Sequence, residues 1–473
     1  EAVDQYHGDF HGMAMIFEDV DGQFLKNWNL PGGNVYKLKD GASSPKELQK
    51  YQARGAVNDA RDFVTIRDLL GPPNQGDQWL RDHVDWASYY LYAALGEGFR
   101  HYDFSPAFQK NRIWYFRPES GFSLGKMSII PHDTDATWKR GTNDGQWYDP
   151  RYSGGTLNGV SYRGRVVGID LPKEAIQEIS GLDGTDGENH PERAEFMLEY
   201  RNTLREVADL LWQPEIVNGV IDDAYQKIAD FSLADRDRWS NGPADAGHED
   251  IGPLESQITK MKSLAFTEDL YMGVSKAGGR RQRLLDLAED PWIPHTPVIT
   301  YTGADAYTTG GLRFGSSGFL DPRDASFGAM EWRVAGVLDE WNTAWESGEQ
   351  LVFHAGISVP ATATRVGERY RARVRYQNAS GRWSHWSEAI EFTVGAPDLN
   401  SFANSLVVSE VMFRPAPPSA AELAEGFFSE NDFEFLEIRN VGESTVDLRD
   451  LRFTKGVDFD FAGSAILVLA PGS

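Results

Sequence analysis

The spacing of apolar residues predicts paired strands at the start of the chain. Within residues 10–38, FHGMAMIFEDV shows β-type alternation, with Met13, Met15 and Phe17 on one face, and NVYKL is a second strand-like run. A segment around Phe24 and Leu25 lies between these two runs and is predicted to pair with them. The Pro-Gly-Gly-Asn sequence at 31–34 is typical of a turn.

Helical periodicity follows. Residues 44–55 begin with Ser-Pro and end at a glycine, and residues 59–71 repeat that arrangement, so both predict helices. Residues 79–95 predict a longer helix that ends at Gly96 as its C-cap. Its apolar stripe consists of Leu80, Val84, Ala87, Leu91 and Ala94.

Two short apolar runs, RIWYF at 112–116 and KMSII at 126–130, then predict a strand hairpin. Residues 191–289 return to helical periodicity, whereas the chain beyond 291 consists of short strand-like runs separated by turn residues. The predicted class is therefore α+β, followed by all-β immunoglobulin-like sandwich domains. Predicted domains span 1–290, 291–396 and 405–473, with a linker at 397–404 inside the Pro-, Gly- and Asn-containing stretch VGAPDLNSFANS.

The composition of the chain argues against several classes of protein and of binding site. The chain has 473 residues, 41% of them hydrophobic, which is too apolar for a disordered protein. Its net charge of −25 argues against general nucleic-acid binding, because a polyanion would be repelled. The absence of cysteine excludes disulfides and thiolate metal sites, and no apolar run is long enough to span a membrane.

The candidate chemistry lies around the predicted hairpin. Asp103 and Asn111 precede the first strand of the hairpin, whereas Asp133 and Asp135 follow the second. Mg²⁺ prefers oxygen ligands of this kind, and phosphoryl transfer from a nucleotide needs cations on the phosphates and a carboxylate near the attacking hydroxyl. An ordinary polar turn that happens to contain acidic residues remains the alternative interpretation.

A second acidic cluster lies at residues 183–191, DGTDGENHP. Its oxygen-bearing side chains are of the kind that bind Ca²⁺, although the 12-residue EF-hand pattern is absent. The alternative, which we favour, is a solvated surface loop. The candidate ligands are Asp183, Asp186, Glu188 and Asn189.

The first 290 residues resemble the CotH family, the spore-coat-protein-H-like atypical kinases. DFHGMAMIFEDVDGQFL and GGNVYKLKD are similar to the family run G-x-Y-x-x-x-E-x-x-D-x-x-F-L … N-L-Y-K. HYDFSPAFQKNRIWYF and MSIIPHDTDATWKRG are similar to its D … N-x-Y-x-Y … D-x-D-x-x-F-G core, and the resemblance extends over residues 5–290. Trp138 stands where the family motif has Phe, and Met13 and Met15 also depart from the pattern.

The resemblance implies a kinase-like domain with a helical C-terminal lobe that uses ATP and Mg²⁺. It implies that Asp103 is the catalytic-loop carboxylate and that Asn111 binds metal or positions the loop. Asp133 would be the principal metal ligand, with Asp135 in support. Glu18 is implied as an acidic residue of the nucleotide lobe and Lys37 as a phosphate contact. We expect the first strands of that lobe to be missing from this sequence.

Two further resemblances concern the remainder of the chain. Residues 370–395, with Trp383 and Trp386 in a W-S-x-W-S pattern, resemble a fibronectin type III-like sandwich. LVVSEVMFRP and DFEFLEIRNVGESTVDLRDLRFTKGVDFDF resemble a lamin-tail domain, which we expect to be incomplete at its C-terminal end.

Together these patterns predict part of a large secreted or surface-attached bacterial protein. One hypothesis is that it is an atypical protein kinase that phosphorylates serine or threonine of a surface or secreted protein. The other is a non-catalytic adhesion or matrix protein that uses the kinase-like domain as a scaffold. The second hypothesis expects Ca²⁺-dependent stability or self-association with no nucleotide bound, and neither includes nucleic acid as a partner.

Overall fold

The fold is that of a computed structural model of the protein. The structure describes residues 18–38, 48–51, 61–63, 77–100, 112–119, 122–132, 137–138, 156–157, 160–161, 194–239, 253–271, 274–303, 305–396, 403–443, 445–449 and 451–473. The chain divides into two compact units. Unit 1 comprises residues 1–295, 320–326 and 377–386, and unit 2 comprises 296–319, 327–376 and 387–473.

Unit 1 contains a four-stranded antiparallel sheet with the strand order β2-β1-β3-β4. The strands of this sheet are β1 (Asn34–Leu38), β2 (Leu48–Tyr51), β3 (Arg112–Glu119) and β4 (Phe122–Pro131). The predictions of strands at NVYKL, RIWYF and KMSII are confirmed. Side chains alternate between the two faces of each strand, so the sheet buries apolar residues on both sides.

One face of the sheet is covered by a short helix, α1 (Gly22–Asn27). Leu25 of α1 packs with Val35, Ile113 and Tyr115 of the sheet. The prediction of a strand around Phe24 and Leu25 is therefore wrong. The Asp21 side chain caps the helix by accepting bonds from the next backbone N–H groups, and a side-chain cap of this kind favours a helical start.

The other face packs on helices α2 (Asp77–His83) and α3 (Trp86–Phe99). The single predicted helix over 79–95 is wrong, because Val84 leaves the helix to bridge Met127 of β4. Asp85 then caps α3 by accepting a bond from the Ser88 N–H. Gly96 is also not the C-cap, since α3 continues until Arg100, which adopts the left-handed conformation.

The helix predicted over 44–55 is likewise wrong at its centre, where β2 pairs with β1 along four residues. Leu48, Gln49 and Lys50 are good helix formers, but the ladder of backbone hydrogen bonds to β1 outweighs that local preference. Within the helix predicted over 59–71, the described residues 61–63 are helical.

The helical prediction for 191–289 is confirmed for most of its described residues. The helices of this region are α4 (Ala194–Glu206), α5 (Pro214–Trp239), α6 (Leu254–Phe266) and α7 (Gly279–Leu287). A π-helical turn, Val207–Leu211, continues α4. A small hairpin not predicted from the sequence, β7 (Glu268–Tyr271) and β8 (Val274–Ala277), connects α6 to α7. Two further short strands pair earlier in the chain, β5 (Thr156–Leu157) and β6 (Val160–Ser161).

Unit 2 contains two antiparallel sheets that share one apolar core. The first has the order β13-β10-β9, and the second has the order β12-β11-β14-β15. Their strands are β9 (Ile299–Tyr301), β10 (Arg313–Ser316), β11 (Phe327–Gly336), β12 (Asp339–Glu346), β13 (Gly356–Ser358), β14 (Arg369–Asn378) and β15 (Ile390–Thr393). Phe314, Trp332, Val374 and Phe392 meet in the core, so the prediction of short strands beyond 291 is confirmed.

The arginines on β14 are held by carboxylates. Arg371 and Arg373 both contact the buried Glu340, at 3.3 and 3.4 Å. Arg375 contacts Glu331 at 2.7 Å. These ion pairs account for the alternation of arginines along this strand.

The last part of unit 2 consists of paired short strands and one short helix. They are β16 (Leu406–Met412), α8 (Ala420–Glu425), β17 (Phe435–Asn440), β18 (Val446–Asp447), β19 (Arg452–Phe453), β20 (Phe459–Asp460) and β21 (Val468–Leu469). The pairs are β16–β17, β18–β21 and β19–β20. The mixture of helices and sheets over the whole chain agrees with the predicted α+β class.

The domain limits near 290 and at 397–404 stay predictions. No helix in the described ranges combines the length and apolar character needed to cross a bilayer.

Candidate functional site

One end of the unit 1 sheet carries the chain segments that flank the candidate acidic residues. Arg112 begins β3 and pairs with Pro131, the last residue of β4. Asn111 directly precedes Arg112 in the sequence, and Asp133 follows Pro131 by two positions. The hairpin register therefore fixes the described chain on both sides of the candidate site.

Lys37 lies near the same end of the sheet. It pairs with Ile113 of β3, and Ile113 pairs with Ile130 of β4, so the three residues form one row across the sheet. Neighbouring strands lie about 4.8 Å apart, which places the Lys37 backbone about 10 Å from that of Ile130. The Lys37 side chain is half-buried.

Three aromatic rings connect the segment that precedes Asp103 with the segment that follows Asp135. The Trp138 N–H donates to the Phe99 carbonyl oxygen at 2.8 Å. The Trp138 ring stacks on Trp212 with 6.0 Å between centroids, and Phe99 meets both rings edge-on. We call Phe99, Trp138 and Trp212 the aromatic cluster. It joins the end of α3, which leads toward Asp103, to the segment that follows Asp135.

Trp212 can hold this position because α3 has a glycine opposite it. A Cβ at Gly98 would lie 2.5–2.9 Å from three atoms of the Trp212 ring. Real atoms do not approach so closely, so a side chain at this position would force the ring to move. The Trp212 side chain is almost completely buried, and its backbone N–H donates to Val207 across the π turn at 2.8 Å.

A buried ion cluster fixes the C-terminal turn of α3. Arg280 Nη2 of α7 donates to Glu97 Oε2 at 3.0 Å, and Arg283 Nε donates to the same oxygen at 3.3 Å. Arg280 Nε also donates to the Glu97 carbonyl oxygen at 2.9 Å, which satisfies one of the last carbonyls of the helix. All three side chains are at most 11% exposed.

The first turn of α3 is fixed to the hairpin. The Asp85 carboxylate caps the helix and also accepts a bond from Ser128 Oγ of β4 at 3.0 Å. The Asp85 N–H donates to the Met127 carbonyl oxygen at 2.8 Å. Both ends of α3 are therefore attached to neighbouring elements, and α3 and the hairpin form one frame.

Burial changes the acid–base behaviour of a tyrosine in this frame. Desolvation raises the pKa of Tyr90 on α3, and the negative charge of Glu199 raises it further. Tyr90 Oη donates to Glu199 at 3.1 Å, and Arg81 donates to the same carboxylate at 2.8 Å. These bonds connect α2 and α3 with α4.

The structure describes only some of the predicted site residues. Eight of them lie outside the described residues: Asp103, Asn111, Asp133, Asp135, Asp183, Asp186, Glu188 and Asn189. Among the side chains that are described, no group of three or more His, Asp or Glu residues could hold a metal ion.

Glu18 and Lys37 are described. The Glu18 carboxylate accepts bonds from Asn27 Nδ2 at 2.7 Å and Trp28 Nε1 at 3.0 Å, at the end of α1. Glu18 therefore braces the helix that covers one sheet face. By strand alternation, Lys37 lies on that same face, with Val35.

The sequence interpretation missed Asp62 and Asp209. Asp62 accepts bonds from Asn34 Nδ2 at 2.7 Å and Tyr36 Oη at 2.5 Å, which ties residues 61–63 to β1. Asp209 is buried in the π turn. Neither residue belongs to a local motif, so only the tertiary contacts identify them.

Comparison with known proteins gives one family. The model of the family described as CotH kinase protein matches residues 5–251, slightly more than half of the chain. No curated protein matches the chain.

Proposed function

Since the chain belongs to the CotH kinase family, we propose that it transfers a phosphoryl group from ATP to serine or threonine hydroxyls of proteins, with Mg²⁺ as the cation. Magnesium supplies charge neutralisation on the phosphates when it is bound. The protein supplies oxygen ligands, position and a carboxylate near the attacking hydroxyl.

The frame around the candidate acids carries this proposal. The Trp138 N–H donates to the Phe99 carbonyl oxygen, and Arg100 directly follows Phe99 in the chain. Asp103 follows Arg100 by three positions, and Asp135 precedes Trp138 by three. Three residues span at most about 11 Å, so one anchor keeps both acids in one neighbourhood.

The hairpin supplies the second anchor. The pairing of Arg112 with Pro131 keeps Asn111 and Asp133 within a few residues of one sheet end. Two carboxylates and an amide oxygen form a hard donor set that suits Mg²⁺. We assign Asp133, Asp135 and Asn111 to the metal and Asp103 to the acceptor hydroxyl.

Lys37 is the proposed phosphate contact. It is a half-buried cation in the row of residues that leads across the sheet to Ile130, three positions before Asp133. A lysine ammonium is a compact cation on a flexible four-carbon side chain, which suits a contact with phosphate. We assign Glu18 a supporting role in the nucleotide lobe, through its bonds at the end of α1.

The β-rich remainder of the chain fits a protein that works outside the cell. We propose that residues 291–396 are a fibronectin type III-like module and that residues 405–473 belong to a lamin-tail-like module. Their strand-rich structure and the net charge of −25 support this assignment. The protein substrate is then a secreted or surface protein.

Phosphate transfer from labelled ATP to a generic acceptor protein tests the proposal. We expect Mg²⁺-dependent labelling with the whole chain and its loss in Asp133→Ala. Asp186→Ala is the matched control, because it removes a carboxylate that the proposal does not use. If Asp133→Ala labels the acceptor as well as the unmodified protein, the metal assignment is wrong.

A further inference from the structure

Residues 377–386 form a hairpin that bonds to the helices of unit 1. Gln377 and Trp383 bridge across the hairpin. Asn202 on α4 donates from Nδ2 to the Gly381 carbonyl oxygen at 3.0 Å, and its Oδ1 accepts the Trp383 N–H at 3.2 Å. One amide side chain thus satisfies two backbone groups of the hairpin. We call residues 377–386 the docked hairpin.

A second attachment involves Asp290, just beyond α7. Arg382 Nε donates to Asp290 Oδ2 at 2.9 Å, and the Asp290 side chain is only 3% exposed. Asp290 Oδ1 accepts the Trp292 N–H at 2.9 Å, so both carboxylate oxygens have partners. A buried carboxylate with this bonding fixes the arginine firmly.

The third attachment is the π turn. Asp209 accepts the Trp386 N–H at 2.9 Å, and His385 Nδ1 lies 3.0 Å from both of its carboxylate oxygens. The Asp209 side chain is 9% exposed. Without these donors, a buried carboxylate would lose its compensation and would be expensive to keep.

The turn itself departs from regular helix geometry. π turns are rare and are found frequently at functional sites. Gln213 Nε2 donates to the Ala208 and Asp209 carbonyl oxygens, both at 2.9 Å. The next residue along the chain from the π turn is Trp212, the central ring of the aromatic cluster.

We propose that the docked hairpin clamps the π turn and, through Trp212, positions Phe99 and Trp138, the described residues that precede Asp103 and follow Asp135 in the chain. Asp209 and His385 are then positioning residues. The importance of this positioning for phosphoryl transfer rests on the proposed function, whereas the mechanical link does not. The link runs from His385 to Asp209, then to Trp212 and to Trp138.

The test uses the whole chain and hydrogen–deuterium exchange without nucleotide. The reporters are the backbone amides of Trp138 and Trp212, which bond to Phe99 and Val207. We compare His385→Ala with His385→Asn, because the Asn amide can still donate to Asp209. Asp223→Asn is the matched control, since Asp223 is an exposed carboxylate on α5 that pairs with Lys227.

We expect His385→Ala to accelerate exchange at both reporter amides by about tenfold, the size of change typical of coupled sites. His385→Asn is expected to restore slow exchange, and Asp223→Asn is expected to leave it unchanged. If His385→Ala accelerates exchange in residues 377–386 but not at Trp138, the proposed link is wrong. Asp209→Asn provides a second variant that keeps an acceptor for Trp386 and removes the charge.

Steady-state phosphoryl transfer separates this inference from the proposed function. A positioning role predicts that His385→Ala lowers kcat about tenfold while KM for Mg·ATP changes much less. If the unmodified chain transfers no phosphate, the proposed function fails and the exchange experiment still decides the link. If kcat is unchanged although exchange at Trp138 rises, the positioning role is refuted.

Discussion

Replacement of Gly98 by alanine tests the close contact between α3 and Trp212. A Cβ at this position would lie 2.5 Å from Cζ3 of Trp212 and within 2.9 Å of two further ring atoms. The ring is 1% exposed and packs against Phe99 and Trp138, so any movement of the ring would disturb these contacts. Overpacking of this kind costs about 1–3 kcal/mol.

Alanine also has a higher helix propensity than glycine, which offsets the clash by about 1 kcal/mol. Gly219→Ala on α5 provides the matched control, because a Cβ there would meet no atom within 4 Å. The propensity gain is common to both variants, so the difference between them isolates the clash. We expect Gly219→Ala to stabilise by about 1 kcal/mol and Gly98→Ala to be about 1–3 kcal/mol less stable than that.

Urea unfolding followed by far-UV circular dichroism measures both variants, because the helices of unit 1 dominate the signal. We expect the urea midpoint of Gly219→Ala to lie above that of the unmodified protein. The midpoint of Gly98→Ala should lie clearly below that of Gly219→Ala. Equal stabilisation by Gly98→Ala and Gly219→Ala would refute the contact and, with it, the position of Trp212.

Three further predictions concern the same frame. Glu97→Ala is expected to destabilise the protein by about 3–5 kcal/mol in urea unfolding, because it removes the buried carboxylate that Arg280 and Arg283 both contact. Asp223→Ala at an exposed pair should change stability by less than about 1 kcal/mol. Since burial raises the pKa of Tyr90, this residue keeps its proton in the folded state above about pH 10, where the unfolded state loses it. The contribution of Tyr90 to stability should therefore fall there by about 1.4 kcal/mol per pH unit, and Tyr90→Phe should make the measured slope shallower by that amount. Trp138→Ala should cost about 2–4 kcal/mol in thermal unfolding, and Trp138→Phe less than about 1.5 kcal/mol. A larger loss with Phe than with Ala would contradict the packing account.

The strands that the sequence predicted best are those with short apolar runs. RIWYF and KMSII bury residues on both faces of β3 and β4, which pair as antiparallel neighbours. A short apolar run of this kind is a local signal of a strand that is buried on both faces.

The wrong predictions have tertiary causes. Residues 48–51 form β2 because β1 offers an open edge for hydrogen bonds, which outweighs the local helical preference. The break between α2 and α3 arises because Val84 bridges Met127, more than 40 residues along the chain. Neither partner can be identified from the segment alone.

Part of the candidate site could be predicted from the sequence, and part of it could not. The sequence pointed to Asp103 and Asp133 from their places around a hairpin, and the hairpin is confirmed. It could not predict the aromatic cluster or the docked hairpin, because Trp138, Trp212 and His385 meet only in the folded chain. No spacing of residues along the sequence predicts long-range contacts of this kind.

Calorimetric titration of the whole chain with Mg·ATP tests the central claim most directly. The account predicts saturable binding that requires Mg²⁺, that is lost in Asp133→Ala and that persists in Asp186→Ala. A scaffold protein would instead show no heat of nucleotide binding, together with stability that depends on Ca²⁺. That result would contradict the assignment of a kinase.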